Sequence, residues 1–154
     1  MATIIVGENS YVTEAELQTW ADDRGKDLTG SDLSVLLINA KDYIESKSYT
    51  GVKYDETQSL KFPRYYPPSP KPETAPDVPN DIKDAQYNAA YLIHTGVDFF
   101  APVGRSVKRE KVDVLEVEYM DNASETTRYP SVYTYLKDYI AASNNGFQFS
   151  VTRT

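Results

Sequence analysis

Seven of the nine prolines in this 154-residue chain fall between residues 63 and 79. Each removes a backbone donor and restrains φ, so the stretch can be neither a helix interior nor a central strand. Helices must therefore be sought on either side of a long connection. The connection reads as a loop packed over its own surface. The competing reading offers Pro67-Pro68-Ser69-Pro70 as a proline ligand to an SH3-like domain.

Apolar spacing places four helices around it. Thr13 followed by Glu16 forms a capping box ahead of a helix over 14–24, with Ala15, Leu17, Trp20 and Ala21 as its stripe and Gly25 as its stop. Ser31 or Asp32 caps a second helix over 32–47, where Leu33, Leu36, Leu37, Ala40, Tyr43 and Ile44 recur at three- and four-residue steps. Pro79 precedes a third over 80–95, with Asn80 or Asp81 as cap. Pro130 opens a fourth over 130–141, carrying Val132, Tyr135, Leu136, Tyr139 and Ile140. Alternation over 106–112 and 114–120 predicts a β-hairpin turning near Asp113. Residues 3–6 read as a strand or extended arm, and Phe147 to Thr154 as a second extended segment. The expected fold is mainly α: a small four-helix domain with a β-hairpin, a long proline-rich loop and extended terminal arms. Its domain spans 1–146, followed by a docking arm over 147–154.

The residues that carry most chemistry are scarce. Without cysteine there are no disulfides or thiolate metal sites, and His94 is the single histidine. It reads as a structural or helix-end histidine, with no second ligand to share a metal. Asp22-Asp23 and Asp55-Glu56 are adjacent acids that point apart on a helix, and the seven glycines form no phosphate loop. The expectation is no enzyme, no cofactor and no metal. No apolar run reaches the ~20 residues of a membrane span, and the N-terminus lacks the basic leader of a secretion signal.

A net charge of −7 argues against tight duplex binding. Arg105, Lys108, Arg109 and Lys111 read as the one basic cluster and a candidate nucleic-acid contact, but cross-strand pairing with Glu116 and Glu118 explains the same residues without a ligand and is the preferred reading. Thirteen tyrosines against five phenylalanines suit half-buried surfaces and interfaces. Tyr65, Tyr66 and Tyr119 are candidate inter-subunit aromatics, because their segments are too short or too proline-rich to build a core. In the last segment Phe147, Phe149 and Val151 alternate with polar residues, and Arg153 adds a terminal cation. Such a strand cannot bury its apolar face alone, so strand addition or pocket insertion on a partner is expected.

Several ordered pieces resemble a known family. They are Asn9-Ser10-Tyr11-Val12 before an acidic helix, Ala40-Lys41-Asp42-Tyr43-Ile44, and Leu60-Lys61-Phe62-Pro63-Arg64. Val78-Pro79 with Ile82-Lys83, Lys108 to Val112, Val117-Glu118-Tyr119 and Tyr129-Pro130-Ser131-Val132 follow in register. In this order they resemble the tailed-phage head–tail adaptors, a family also described as DnaT-like and single-stranded-DNA-binding. Phe62 stands where that family more often has tryptophan, and Asp113 where it has glycine.

The resemblance implies a structural connector subunit of the virion, assembled in the host cytoplasm as a ring of twelve beneath the portal. Such a ring extends the DNA channel, passes DNA without reading its sequence, and docks a tail or stopper protein. The portal is then the partner of Phe147, Phe149, Val151 and Arg153. The alternative is a DnaT-like single-stranded DNA-binding replication protein.

Overall fold

A computed structural model describes residues 2–101 and 129–141 of the chain. The first helix, α1 (Glu14–Asp23), begins where the capping box was expected. Thr13 Oγ1 accepts from the Glu16 N–H at 3.2 Å, and Glu16 Oε2 accepts from the Thr13 N–H at 2.6 Å. Its inner face is Leu17, Trp20 and Ala21. Of the two candidate caps for α2 (Leu33–Glu45), Asp32 takes the role, its carboxylate accepting from the Ser34 N–H at 3.1 Å. Ser31 turns instead to His94, with Oγ 2.7 Å from Nδ1.

A short antiparallel pair follows, β1 (Val52–Lys53) with β2 (Arg64–Tyr65), in the register Val52 to Tyr65 and Lys53 to Arg64. Next come α3 (Asn80–His94) and α4 (Pro130–Leu136). Among the described residues, four helices and a two-stranded hairpin make the mainly α fold expected from the spacing of apolar residues. The hairpin expected over 106–120 and the arm over 147–154 lie outside the described residues.

The centre of the bundle is the packing of α2 on α3 and of α3 on α4. Leu36, Leu37, Ala40 and Ile44 of α2 face Ile82, Ala85, Ala89 and Ala90 of α3, and Val132 and Leu136 of α4 complete the buried set. The alanines let the helix axes come close, because little side chain separates them. A glutamine side chain lies fully inside this core. Gln86 accepts from the Tyr11 N–H at 3.0 Å and donates to Ser10 Oγ at 2.8 Å and to the Leu37 carbonyl at 2.9 Å. It fastens the segment before α1 to both central helices.

Two local expectations are corrected. Neither Asn80 nor Asp81 caps α3. The N-cap is Pro79 with no side-chain bond, its carbonyl accepts from Ile82 N–H at 3.0 Å, and Asp81 accepts from the Tyr139 hydroxyl at 3.2 Å. The fourth helix stops at Leu136 rather than 141. The following chain is drawn into backbone pairing with the segment after α2: Thr50 N–H donates to the Tyr139 carbonyl and Ala141 N–H to the Ser48 carbonyl, both at 2.9 Å. The chain over 137–139 forms a turn, with the Tyr139 and Ile140 N–H groups both donating to the Leu136 carbonyl, and Tyr139 and Ile140 still pack on the core. Of the two readings of the β-branched run 3–6, the arm is the one that holds, since no regular strand forms there. It stays extended into a bridge between Val6 and Ser10, clasped by the Asn9 side chain on Thr3 and Ile5.

Candidate functional site

Two surface hollows differ in charge, and the difference selects between them. The first, of about 390 Å³, is open to solvent at the edge of the β1–β2 pair and is lined by Tyr49, Gly51, Val52, Lys53, Glu56, Lys61 and Arg64. Its lining holds three cations against one carboxylate. The second, of about 440 Å³, lies between α1 and α3 and presents Glu16, Asp23 and Asp84 against Arg24, beside Trp20 and Tyr87. There, burial first of all raises the Asp84 carboxyl, with Arg24 opposing the shift. Tyr87 is pushed up to about 12 by burial and then by Glu16 and Asp84. An anionic ligand is favoured in the first hollow and repelled from the second.

The cationic hollow is held by a small set of bonds. Arg64 is its keystone: Nε donates to the Thr50 carbonyl at 2.8 Å, Nη1 to Lys61 at 3.1 Å, and Nη2 to Gly51 at 2.7 Å and Tyr49 at 3.3 Å. A planar guanidinium spreads five donors over a rigid fork, whereas a lysine ammonium offers at most three from a single point. Beneath it, Glu45 is turned inward. Its Oε1 accepts from the Tyr11 hydroxyl, and its Oε2 accepts from the Lys61 N–H at 2.9 Å. The Tyr11 hydroxyl also accepts from the Phe62 N–H at 3.3 Å. Burial, with Glu45 beside it, pushes the Tyr11 phenol far above its ordinary range, so it remains a donor. Lys61 Nζ donates to the Lys47 carbonyl, and Lys47 Nζ lies 4.4 Å above the Tyr43 ring.

Around the hollow, the chain from 46 to 72 carries Lys47, Lys53, Lys61, Arg64 and Lys71 against only Asp55 and Glu56, a local excess of three positive charges. It also carries Tyr49, Tyr54, Phe62, Tyr65 and Tyr66. Tyr49 and Phe62 are spent in the core, meeting edge to face at 4.8 Å. The proline-rich loop returns over Tyr54, whose hydroxyl donates to the Glu73 carbonyl at 3.0 Å while Lys71 Nζ lies 4.7 Å from its ring. Tyr66, just beyond β2, is 44% exposed. Two of the tyrosines marked from the sequence lie next to lining residues: half-buried Tyr65 pairs with Val52, and the Tyr66 ring packs on Gly51. Tyr119, Arg105, Lys108, Arg109, Lys111, Phe147, Phe149, Val151 and Arg153 lie outside the described residues.

The basic set over 47–71 escaped sequence reasoning because its members are spread thinly and no short window looks basic. A running charge count over about 25 residues would have found it. His94 is half-buried on the last turn of α3, tied to Ser31 and stacked on Tyr91 at 6.3 Å. Among the described residues no group of three or more His, Cys, Asp or Glu could hold a metal ion. No helix among them is long and apolar enough to cross a membrane.

Fold and site together define a small helical domain with a cationic, tyrosine-bordered surface hollow in an acidic chain. Over residues 2–154 the chain matches the model of one family, and it belongs to that family, described as "Putative DnaT-like ssDNA binding protein". This match corrects the head–tail adaptor reading. The family found over the whole chain is the DnaT-like one and no connector family matches, so the virion, portal and ring roles implied by that resemblance fall with it. The ordered motifs that suggested the adaptors run along the same residues, and their spacing cannot separate two functional labels attached to one pattern. No curated protein matches the chain, and no solved structure does.

Proposed function

We propose that this protein binds single-stranded DNA without chemistry of its own, and that the strand's phosphates lie across the hollow at the edge of the β1–β2 pair. The observation that carries the reading is the gathering of Lys53, Lys61 and Arg64 beside a single Glu56 in a chain whose net charge is −7. A cationic groove with aromatic borders is the usual construction of a sequence-tolerant single-strand site. The family description agrees with it. The acidic balance of the chain opposes long duplex contacts, because a duplex presents phosphates over a wider face than this hollow covers.

Fluorescence anisotropy with labelled oligo(dT), from low to physiological salt, tests the proposal. The expected result is salt-sensitive binding that weakens in Lys53→Gln/Lys61→Gln. Each phosphate that the variant no longer neutralises should lower the slope of log affinity against log salt by about 0.7. Absence of binding at low salt would overturn the single-strand reading. Unchanged binding by the double variant, with weakened binding in Arg105→Gln/Lys108→Gln/Arg109→Gln/Lys111→Gln, would move the interface to the second basic segment.

A further inference from the structure

We infer that Tyr66 is the base-stacking platform of this site, so that the hollow recognises unpaired bases and not phosphate alone; the inference rests on the single-strand reading above. Three observations place the role on this side chain. Among the described residues Tyr66 is the one exposed tyrosine, at 44%, whereas Tyr49 and Phe62 beside it are 7% and 3% exposed. Tyr54 is engaged by Lys71 and Glu73. The ring is also seated. It packs directly on Gly51, where an added Cβ would lie 2.7 Å from Tyr66 Cδ1, 2.9 Å from Cε1 and 2.6 Å from the Tyr65 carbonyl oxygen.

Gly51 has φ +79°, a conformation that glycine adopts freely and that L side chains rarely do. Residue 51 thus does two things: it turns the chain into β1 and leaves the space that the tyrosine ring occupies. Because Gly51 itself lines the hollow with Lys53, Lys61 and Arg64, the ring stands at the rim of the cationic patch. A nucleotide whose phosphate meets the lysines has its base within reach of Tyr66. The turn beyond the ring is held by the Ser69 N–H donating to the Tyr66 carbonyl at 3.1 Å. A ring already held in place loses little freedom when a base stacks on it.

The test compares two probes with equal phosphate number, oligo(dT) and an abasic oligomer, across wild type, Tyr66→Phe, Tyr66→Ala and Gly51→Ala. Wild type should prefer oligo(dT) by on the order of tenfold to a hundredfold, the range expected for stacking one base. Tyr66→Phe should keep the preference and Tyr66→Ala should abolish it, with the salt slope unchanged because no cation is removed. Gly51→Ala should weaken the preference by displacing the ring. Far-ultraviolet circular dichroism should show Tyr66→Ala folded, since its side chain lies outside the core. If wild type binds both probes equally, or Tyr66→Ala keeps the preference, the stacking role is overturned while single-strand binding stands. If wild type binds neither probe at low salt, the single-strand reading itself fails and the inference with it.

Discussion

Replacing Gln86 by leucine should destabilise the domain by more than any change of volume explains. The substitution keeps a side chain of similar size in the core, so what it removes is mainly three hydrogen bonds. The Tyr11 N–H loses the acceptor the structure gives it and stays buried, which costs about 1–3 kcal/mol. The Leu37 carbonyl keeps its helical partner four residues on, and Ser10 Oγ keeps its bonds to Val12, so removing their two bonds adds only about 1 kcal/mol together. The expected loss is about 2–4 kcal/mol, or roughly 5–15 °C in Tm for a chain of this length. Urea unfolding followed by circular dichroism measures it. The midpoint should fall while the slope against denaturant stays the same, because the surface exposed on unfolding does not change. A loss below about 1 kcal/mol would refute the reasoning, since it would mean that the Tyr11 N–H finds another partner when Gln86 is gone.

Asp32 is held below the ordinary carboxylate range chiefly by the Ser34 hydroxyl, with the Ser34 and Val35 N–H groups assisting. A carboxyl whose folded pKa is depressed contributes stability above its unfolded pKa and loses that contribution as pH falls through the folded one. Asp32→Ala should therefore lower the melting temperature at neutral pH, and thermal melts should show the gap to wild type closing below the folded Asp32 pKa. A gap independent of pH would mean that the charge is not its source. Arg64→Lys should keep the charge of the hollow yet lose the fork of donors that reaches four carbonyls at once. A loss of about 1–2 kcal/mol in urea unfolding is expected, with the salt slope for oligo(dT) retained. Unchanged stability would show that the charge, not the fork of donors, is what Arg64 supplies.

Where the decisive interactions are local, sequence and structure coincide. Thr13 and Glu16 are three residues apart and cap each other whatever surrounds them, so the start of α1 was legible. The stripe of α2 was legible for the same reason, since helical period alone decides which residues share a face. The density of prolines from 63 to 79 foretold that no long regular element could form there, and only the two-residue strand β2 does. Composition did not separate the tyrosines of the core, Tyr11, Tyr43 and Tyr49, from Tyr66 at the surface.

The remainder depends on partners distant along the chain. Whether the fourth helix ends at 136 or 141 is settled by Ser48 and Thr50, about ninety residues earlier, because a backbone group can join only one ladder. Gln86 is indistinguishable from a surface glutamine until Tyr11 and Leu37 are brought to it. The cationic hollow exists only because β1 pairs with β2 and Arg64 gathers carbonyls from residues 49, 50, 51 and 61, which places Lys53 and Lys61 on one rim. Tyr66 became a seated and exposed ring because Gly51, fifteen residues away, has no side chain. Local spacing determined the helices of this protein, whereas the site was decided by contacts between segments whose positions only the folded core sets.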